Sequence, residues 1–252
     1  MSTLIFGKGF VGKATAGIVG DDVIWHDPAL GHEVNDLSNI DRVLICVPTP
    51  AGTNGLDHTA VYDCLTHLKN CDWAGPVAVR CTCTPAALEN MLTLNENLVY
   101  WPEFLRERTA MQDALNPVKV VLGGTDTNVR KWELWLRGIG HAKDAIWTIT
   151  DLKTAALIKV GHNAALAAKV MMFNSLYKAC QDIGADWESV RLGVGSDPRI
   201  GTGQTVVPGP DGHFGFGGKC LPKDLGALAA MLPDDQFLSG ITTQNTAIRF
   251  RE

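Results

Sequence analysis

Short apolar runs alternate with helix-like segments along the first 150 residues. The runs are rich in β-branched or aromatic residues and are bounded by turn residues, which is typical of strands. They read "TLIFG", "DVIWHD", "RVLICVPT", "PVAVRCT", "NLVYWPE", "KVVLGG" and "AIWTIT". Strands that alternate with helices predict an α/β fold with a doubly wound, mostly parallel sheet.

The pattern changes near residue 150, where one long helix is predicted over 151–183. It begins at a capping Thr or Asp, stops at a glycine, and would span about 50 Å at 1.5 Å per residue. A second helix near 187–192 leads into a Gly/Pro-rich loop over 193–218, and two helix-like segments follow. We therefore predict a sheet domain over 1–150 and a small all-α domain over 151–252.

The composition and the charge exclude several classes of protein. The chain is 46% hydrophobic and 19% charged, which is ordinary for a globular protein, and its formal charge is −5. No run of Lys and Arg indicates a nucleic-acid or membrane-surface partner. No apolar stretch approaches a membrane span, and the first residues lack the order of a signal peptide. We expect a cytoplasmic protein.

The cysteines argue against a disulfide framework and against a metal site. There are 7, an odd number, and they are scattered through the chain. Such usage is typical of a reducing compartment. The closest pair, Cys81 and Cys83, has no second pair at zinc-like spacing, so we expect packing roles for most cysteines and no bound metal.

The segment "GKGFVG" predicts a dinucleotide site. It places Gly7, Gly9 and Gly12 directly after the first strand and at the start of a helix. Glycines there allow a tight turn and let a pyrophosphate approach the free N–H groups of the helix. Asp27 ends the second strand, where a carboxylate binds adenosine ribose hydroxyls and repels a 2′-phosphate. This favours NAD over NADP; the alternative is a structural glycine turn with a solvated aspartate.

The segment "GFGGKCLPKD" predicts a reactive thiol. Cys220 precedes Pro222, a residue well tolerated in the first helical turn, so the cysteine is expected at a helix N-terminus. The helix dipole, helped by Lys223, would lower the thiol pKa and favour the thiolate. Asp224 lies one turn further on, where it can orient a water molecule or take a proton.

Further polar groups lie on predicted elements. Lys159 and Asn163 are four residues apart on one face of the long helix, where they can bind an oxyanion or form an exposed polar stripe. Glu103 ends a strand and Glu107 enters a helix. The carboxyl ends of parallel strands border the ligand crevice, so both carboxylates are candidates for acid/base work. Glu107 can equally form a surface pair with a neighbouring arginine.

Taken together, these motifs resemble the UDP-glucose/GDP-mannose 6-dehydrogenase family. The matching segments, in family order, are "GKGFVG", "CVPTP", "RCTCTP", "PEFLRE", "LIKVGHNA", "DPRIG" and "GFGGKCLPKD". The resemblance implies a Rossmann-like NAD-binding domain, followed by the long helix and a small all-α domain. It also implies a nucleotide-sugar substrate and a homodimer built on helix 151–183. Family members continue into a third domain that holds part of the nucleotide sugar, and we expect this chain, which stops at Glu252, to be a short form that lacks it.

The resemblance also implies a mechanism, in which a sugar C6 alcohol is oxidised to a carboxylate with two hydride transfers to NAD. Cys220 would attack the intermediate aldehyde, and the resulting thiohemiacetal would be oxidised to a thioester. Lys159 and Asn163 would stabilise oxyanions. Asp224 and Thr82 would position a water molecule, and Asp224 and Lys159 would assist the first proton removal. Glu107 would act as the base in thioester hydrolysis.

The expected binding residues follow from the same motifs. Those expected to bind NAD are Gly7, Gly9, Phe10, Val11, Gly12, Asp27, Val47, Pro48, Thr49, Thr82 and Lys223. Those expected to bind substrate are Glu103, Phe104, Leu105, Lys159, Asn163, Arg199, Phe214 and Gly217, with Arg199 reaching the substrate of a neighbouring subunit.

Two other functions remain open from the residues alone. A dehydrogenase of a smaller alcohol or hydroxy acid would share the sheet domain and long helix but would have no use for Cys220. A non-catalytic NAD-binding module would bind the dinucleotide without turnover.

Overall fold

The computed structural model describes residues 2–20, 22–53 and 55–249. The chain separates into two compact units. The first unit is Met1–Pro50 with Leu56–Lys159, and the second is Ala51–Gly55 with Val160–Glu252. The domain boundary expected near residue 150 stays a prediction, and the last three residues of the expected second domain lie outside the described residues.

The first unit is built on a sheet of seven strands in the order β2-β1-β3-β6-β7-β8-β9. Every neighbouring pair is parallel except β7 and β8, which are antiparallel. The predicted α/β fold with a mostly parallel sheet is therefore confirmed. The strands are β1 (Ser2–Phe6), β2 (Val23–His26), β3 (Ile40–Ile45), β6 (Val77–Val79), β7 (Leu98–Tyr100), β8 (Lys119–Gly123) and β9 (Ile146–Thr150).

Two further strands, β4 (Ala51–Gly52) and β5 (Gly55–Leu56), pair in a separate small sheet. The sequence did not predict them, because each has two residues and lies in the polar, glycine-containing segment "AGTNGL". The central strands of the large sheet are buried on both faces, which explains why they read as continuous apolar runs.

Helices cover both faces of the large sheet in the first unit. They are α1 (Phe10–Val19), α2 (Thr59–Asn70), α3 (Pro85–Leu92), α4 (Ala110–Leu115) and α5 (Asp126–Gly138). Thr84 and Thr125 cap α3 and α5, since each side chain accepts a hydrogen bond from a backbone N–H in the first turn. Two apolar clusters fill the space between sheet and helices, one around Val43 and Val77 and the other around Leu44 and Ala78.

Helix α6 (Leu152–Ile183) confirms the predicted long helix. It ends at Gly184, whose φ of +73° is a left-handed conformation that favours glycine. Residues 160–183 of α6 pack in the second unit with α7 (Trp187–Gly195), α8 (Leu221–Met231) and α9 (Gln236–Arg249). Among the described residues, no helix is long and apolar enough to cross a membrane.

Two buried asparagines fix the backbone that leads to Cys220. Asn245 of α9 accepts a hydrogen bond from the N–H of Phe216 at 2.8 Å and donates one to the carbonyl of Phe216 at 3.0 Å. Asn174 of α6 accepts a hydrogen bond from the N–H of Gly215 at 2.9 Å. Side chains thus replace the backbone partners that this loop lacks, and they hold it between α6 and α9.

We expect Asn245→Ala to lower the free energy of unfolding by about 2–4 kcal/mol, because it leaves two buried backbone groups of Phe216 without partners. Urea titration of the variant and of the wild-type protein measures the difference. Gln244→Ala, at the exposed neighbouring position of α9, is the control and should stay within about 0.5 kcal/mol. Equal stability of both variants would contradict the role assigned to Asn245.

Candidate active site

The glycine loop between β1 and α1 is shaped by close backbone contacts. Gly7 has a φ of +88°, and a Cβ added to Gly12 would lie 2.0 Å from the carbonyl oxygen of Gly7. Gly9 is the N-cap of α1, and a Cβ added there would meet no described atom within 4 Å. The free N–H groups at the start of α1 therefore border open space, which suits a pyrophosphate.

Asp27 lies beside this loop, at the end of β2. Its Oδ2 accepts a hydrogen bond from the backbone N–H of Lys8 at 2.8 Å, which fixes the carboxylate against the glycine loop. A carboxylate in this position can bind the ribose hydroxyls of an adenosine. The loop and Asp27 together fit NAD.

The other expected NAD residues divide between the two units. Phe10 and Val11 begin α1, and Val47, Pro48 and Thr49 follow β3. Thr82 follows β6 and is buried. These positions lie at the carboxyl ends of parallel strands or at the adjoining helix start. The last expected residue, Lys223, belongs to the second unit, where it pairs with Asp224.

A buried ion pair follows β7 in the first unit. Lys159 Nζ donates to Glu103 Oε1 at 3.1 Å, and Glu103 Oε2 accepts a second hydrogen bond from the N–H of Leu105 at 2.6 Å. The side chains of Lys159 and Glu103 are only 3% and 7% exposed. Asn163 is also buried. The alternative expectation of an exposed polar stripe on the long helix is therefore wrong.

Two lysines flank the ring of Phe104. Lys119 Nζ lies 4.0 Å from the ring centroid, and Lys159 Nζ lies 5.3 Å from it. Burial and, to a lesser extent, the charge of Lys159 lower the pKa of Lys119. No local sequence pattern singles out Lys119. Its place opposite Phe104 follows from the antiparallel pairing of β7 and β8, which the apolar runs do not reveal.

Arg80 is a second group in the site that no sequence motif marks. Its side chain directly follows β6, is buried, and has its guanidinium carbon 3.7 Å from the centroid of the Trp101 ring. Its Nε and Nη1 have no hydrogen-bond partner among the described residues, and burial lowers its pKa. Burial and the nearby charge of Arg80 lower the pKa of His141 to about 4, so this imidazole is neutral near pH 7.

Cys220 is the N-cap residue of α8, as the sequence predicted, and it is partly exposed. Asp224 lies one turn further and is fully buried. Its Oδ2 accepts a hydrogen bond from Asn163 Nδ2 at 2.5 Å, and its Oδ1 accepts one from Lys223 Nζ at 2.6 Å. The second unit thus joins the partly exposed thiol and a paired buried carboxylate on consecutive turns of one helix.

The remaining expected substrate residues of the second unit are more exposed. Phe214 is 40% exposed. Arg199 lies in an exposed loop and pairs with Asp197. A Cβ added to Gly217 would lie 2.2 Å from an Nη atom of Arg249, so that guanidinium fills the space beside this glycine. The substrate role of Gly217 stays a prediction.

Glu107 is exposed in a 3-10 turn over Glu107–Thr109. The neighbouring Arg106 pairs with Asp113 at 2.6 Å. That pair, with further hydrogen bonds from the backbone of Arg106 and from Thr109, lowers the pKa of Asp113 to about 2. A catalytic role for Glu107 stays a prediction.

Comparisons with known proteins agree with this geometry. The family model described as "UDP-glucose/GDP-mannose dehydrogenase family, NAD binding domain" matches residues 30–136, and the central-domain model of the same family matches residues 153–248. The glycine loop and Asp27 precede the first matched range, so their assignment rests on the geometry above.

The chain is also similar to individual relatives. It is 35% identical over 221 residues to a UDP-glucose 6-dehydrogenase of Rickettsia bellii, covering 82% of this chain and 48% of that protein. It is 37% identical over 127 residues to a UDP-glucose 6-dehydrogenase of Bacillus subtilis, covering 50% of this chain and 27% of that protein. The chain thus spans about half the length of its Rickettsia relatives.

Solved structures share the fold. A UDP-glucose dehydrogenase of Pyrobaculum islandicum superposes with a TM-score of 0.81 at 22% identity, covering 99% of this chain and 68% of that one. A UDP-D-ManNAc dehydrogenase of Pyrococcus horikoshii gives a TM-score of 0.83 at 18% identity, with 98% and 69% covered. With both domain models matched and the fold shared, the chain belongs to the UDP-glucose/GDP-mannose dehydrogenase family.

Proposed function

We propose that the protein oxidises the C6 alcohol of a nucleotide sugar, such as UDP-glucose, to the carboxylate in two NAD-dependent steps through Cys220. The observation that carries the proposal is the partly exposed thiol at the N-cap of α8, one turn before the buried Asp224. The helix dipole at an N-terminus favours a thiolate. NAD, when bound, accepts the hydride in each oxidation.

The first oxidation removes a hydride from C6 and a proton from its hydroxyl group. Asp224 and Lys159 are the groups assigned to assist the loss of this proton. Each is fixed by a buried partner, Asp224 by Asn163 and Lys159 by Glu103. Fixed orientation favours proton transfer because it avoids reorganisation of the catalytic group. The product of this step is an aldehyde.

The thiolate of Cys220 then adds to the aldehyde carbon, and the carbonyl electron pair moves to oxygen. Lys159 and Asn163 are assigned to donate hydrogen bonds to this oxyanion. They lie four residues apart on α6, so about one helical turn separates them. An ammonium group has three donors and an amide has two, so one bond to Glu103 or Asp224 does not exhaust either group. Hydride loss from the thiohemiacetal gives a thioester.

Water completes the reaction by attacking the thioester carbon. The C–S bond breaks, the thiol of Cys220 is restored, and the sugar carboxylate leaves. Thr82 and Asp224 are assigned to position this water, and Glu107 is assigned to take its proton. Glu103 holds Lys159 in place throughout, since a buried carboxylate beside a buried ammonium stays paired.

The proposal includes the expected assembly and surroundings. Leu157, Met172 and Ile183 are exposed apolar side chains of α6, which supports a homodimer through helix 151–183. Arg199 is then assigned to the substrate of the partner subunit. A cytoplasmic location and the lack of nucleic-acid or membrane partners also remain proposals.

The central experiment measures NADH formation by the purified protein with a panel of UDP- and GDP-sugars. The proposal expects two NADH for each sugar carboxylate formed. Binding of NAD without turnover of any sugar would instead support a non-catalytic module. One NADH for each molecule of a small alcohol, with no carboxylate, would support the simpler dehydrogenase.

We expect Gly12→Ala to weaken NAD binding more than about tenfold, because its Cβ would lie 2.0 Å from the carbonyl oxygen of Gly7 and deform the loop. Isothermal titration calorimetry with NAD measures the effect. Gly138→Ala is the control, since a Cβ added at the end of α5 meets no described atom within 4 Å. Unchanged NAD affinity in Gly12→Ala would refute the assignment of this loop.

We expect Cys220→Ser to lower carboxylate formation by more than about 1000-fold, because the nucleophile of the second oxidation is lost. Binding of NAD should stay within about twofold, since the glycine loop is untouched. Cys71→Ser is the matched control, because Cys71 is also partly exposed but lies at the end of α2. Normal carboxylate formation by Cys220→Ser would exclude a thioester route.

We expect iodoacetamide at pH 8 to modify Cys220 before the buried Cys46 and Cys64 in the folded protein. Burial raises the pKa of Cys46 to about 12 and also raises the pKa of Cys64. A pKa of about 12 leaves roughly one thiolate in ten thousand at pH 8, and the thiolate is the reactive form. Peptide mass spectrometry should find Cys46 and Cys64 modified only after denaturation. Early labelling of either buried thiol would contradict this order.

A further inference from the structure

The chain after β2 turns back so that His32 lies beside Asp27. Asp27 and His32 exchange two backbone hydrogen bonds, from the N–H of Asp27 at 2.8 Å and from the N–H of His32 at 3.1 Å. Gly31 closes the turn with a φ of +75°, a left-handed conformation that favours glycine. The backbone thus brings the imidazole of His32 to the same side as the carboxylate expected to bind the adenosine ribose.

Lys8 contacts both of these residues, Asp27 through its backbone and His32 through its side chain. Its backbone N–H donates to Asp27 Oδ2 at 2.8 Å, and its Nζ lies 3.2 Å from His32 Nε2. Because an ammonium group can only donate, His32 Nε2 is the acceptor of this hydrogen bond. The ammonium also lies 5.4 Å from the centroid of the Trp25 ring, a favourable cation–π distance. A lysine within the glycine loop is thereby directed to the ribose end of the site.

The two charged groups at the ribose end of the site have opposite effects on a 2′-phosphate. The carboxylate of Asp27 repels a phosphate on the ribose 2′-oxygen, whereas the ammonium of Lys8 attracts it and can donate to its oxygens. Both groups are tied to the same short loop, by the hydrogen bond between the Lys8 N–H and Asp27. At comparable distances one cation offsets one carboxylate, so Asp27 alone does not decide which dinucleotide binds.

We propose that Lys8, held by His32 and Trp25, forms a phosphate-accepting subsite beside Asp27, so that the protein binds NADP as well as NAD. This inference rests on the dinucleotide site of the proposed function and concerns its specificity. Lys8 is the specificity-determining residue, and His32 and Trp25 position it. NAD remains the tighter ligand because Asp27 binds its free ribose hydroxyls.

Calorimetric titrations with NAD, NADP, AMP and adenosine 2′,5′-bisphosphate test the subsite without a sugar substrate. In the wild-type protein we expect NADP to bind within about 100-fold of NAD. Lys8→Met should weaken NADP and adenosine 2′,5′-bisphosphate about tenfold, and leave NAD and AMP within about twofold. Lys8→Arg should retain NADP binding. Lys13→Met, an exposed lysine of α1, is the control and should change none of the four affinities.

A second measurement varies the salt concentration. Added NaCl should weaken adenosine 2′,5′-bisphosphate more in the wild-type protein than in Lys8→Met, because the attraction being screened is that of Lys8. The same loss with salt in both proteins would overturn the subsite, whatever the affinities at low salt.

The remaining outcomes distinguish a failure of the subsite from a failure of the proposed function. Binding of NAD without detectable NADP binding by the wild-type protein would overturn the subsite and leave the proposed function intact. Equal weakening of NAD and NADP in Lys8→Met would also overturn it, since Lys8 would then serve the pyrophosphate. Failure of the wild-type protein to bind NAD at all would refute both this inference and the proposed function.

Discussion

The buried carboxylate of Asp224 is the constraint on which the second unit depends. A buried charge is strongly unfavourable unless hydrogen bonds or an opposite charge compensate it. Here Asn163 on α6 and Lys223 on α8 supply both kinds of partner. The carboxylate therefore fixes the first turn of α8 against α6. Cys220 caps that turn, so the pairing of Asp224 contributes to the position of the thiol.

In the first unit the buried charge is a cation, and a buried partner compensates it in the same way. The ammonium of Lys159 is buried and paired with Glu103, whose second oxygen is occupied by the N–H of Leu105. Two buried polar groups thus occur one turn apart on α6, and each is compensated by a residue distant in sequence. Replacing Glu103 by an apolar residue would remove the carboxylate that compensates the buried ammonium of Lys159.

Much of the fold could be predicted because its determinants are local. Strands such as β6 (Val77–Val79) are apolar at every position, and the long helix has a capped start and a glycine stop. The motif positions Gly12 and Cys220 were also accessible, since each needs only neighbouring residues to suggest its conformation. These features follow from periodicity and turn chemistry within a few residues.

Other parts of the fold depend on contacts between residues far apart in the chain, and the local sequence does not indicate them. Asn174 and Asn245 lie within helices, and the sequence around them does not indicate that they bind the backbone of the loop before Cys220. Arg80 lies in the run "PVAVRCT", which predicts a strand, and no neighbouring residue indicates that its side chain stacks on the ring of Trp101.

The loop before Cys220 shows how an irregular segment can fix the position of a reactive group. Residues 196–220 contain no regular helix or strand in the structure, yet the last part of the loop is held from several directions. Asn174 and Asn245 bind its backbone, and Arg249 pairs with Asp211 and donates to the carbonyl of Phe214. Since these anchors lie on α6 and α9, the path of the chain near Cys220 is determined by helices.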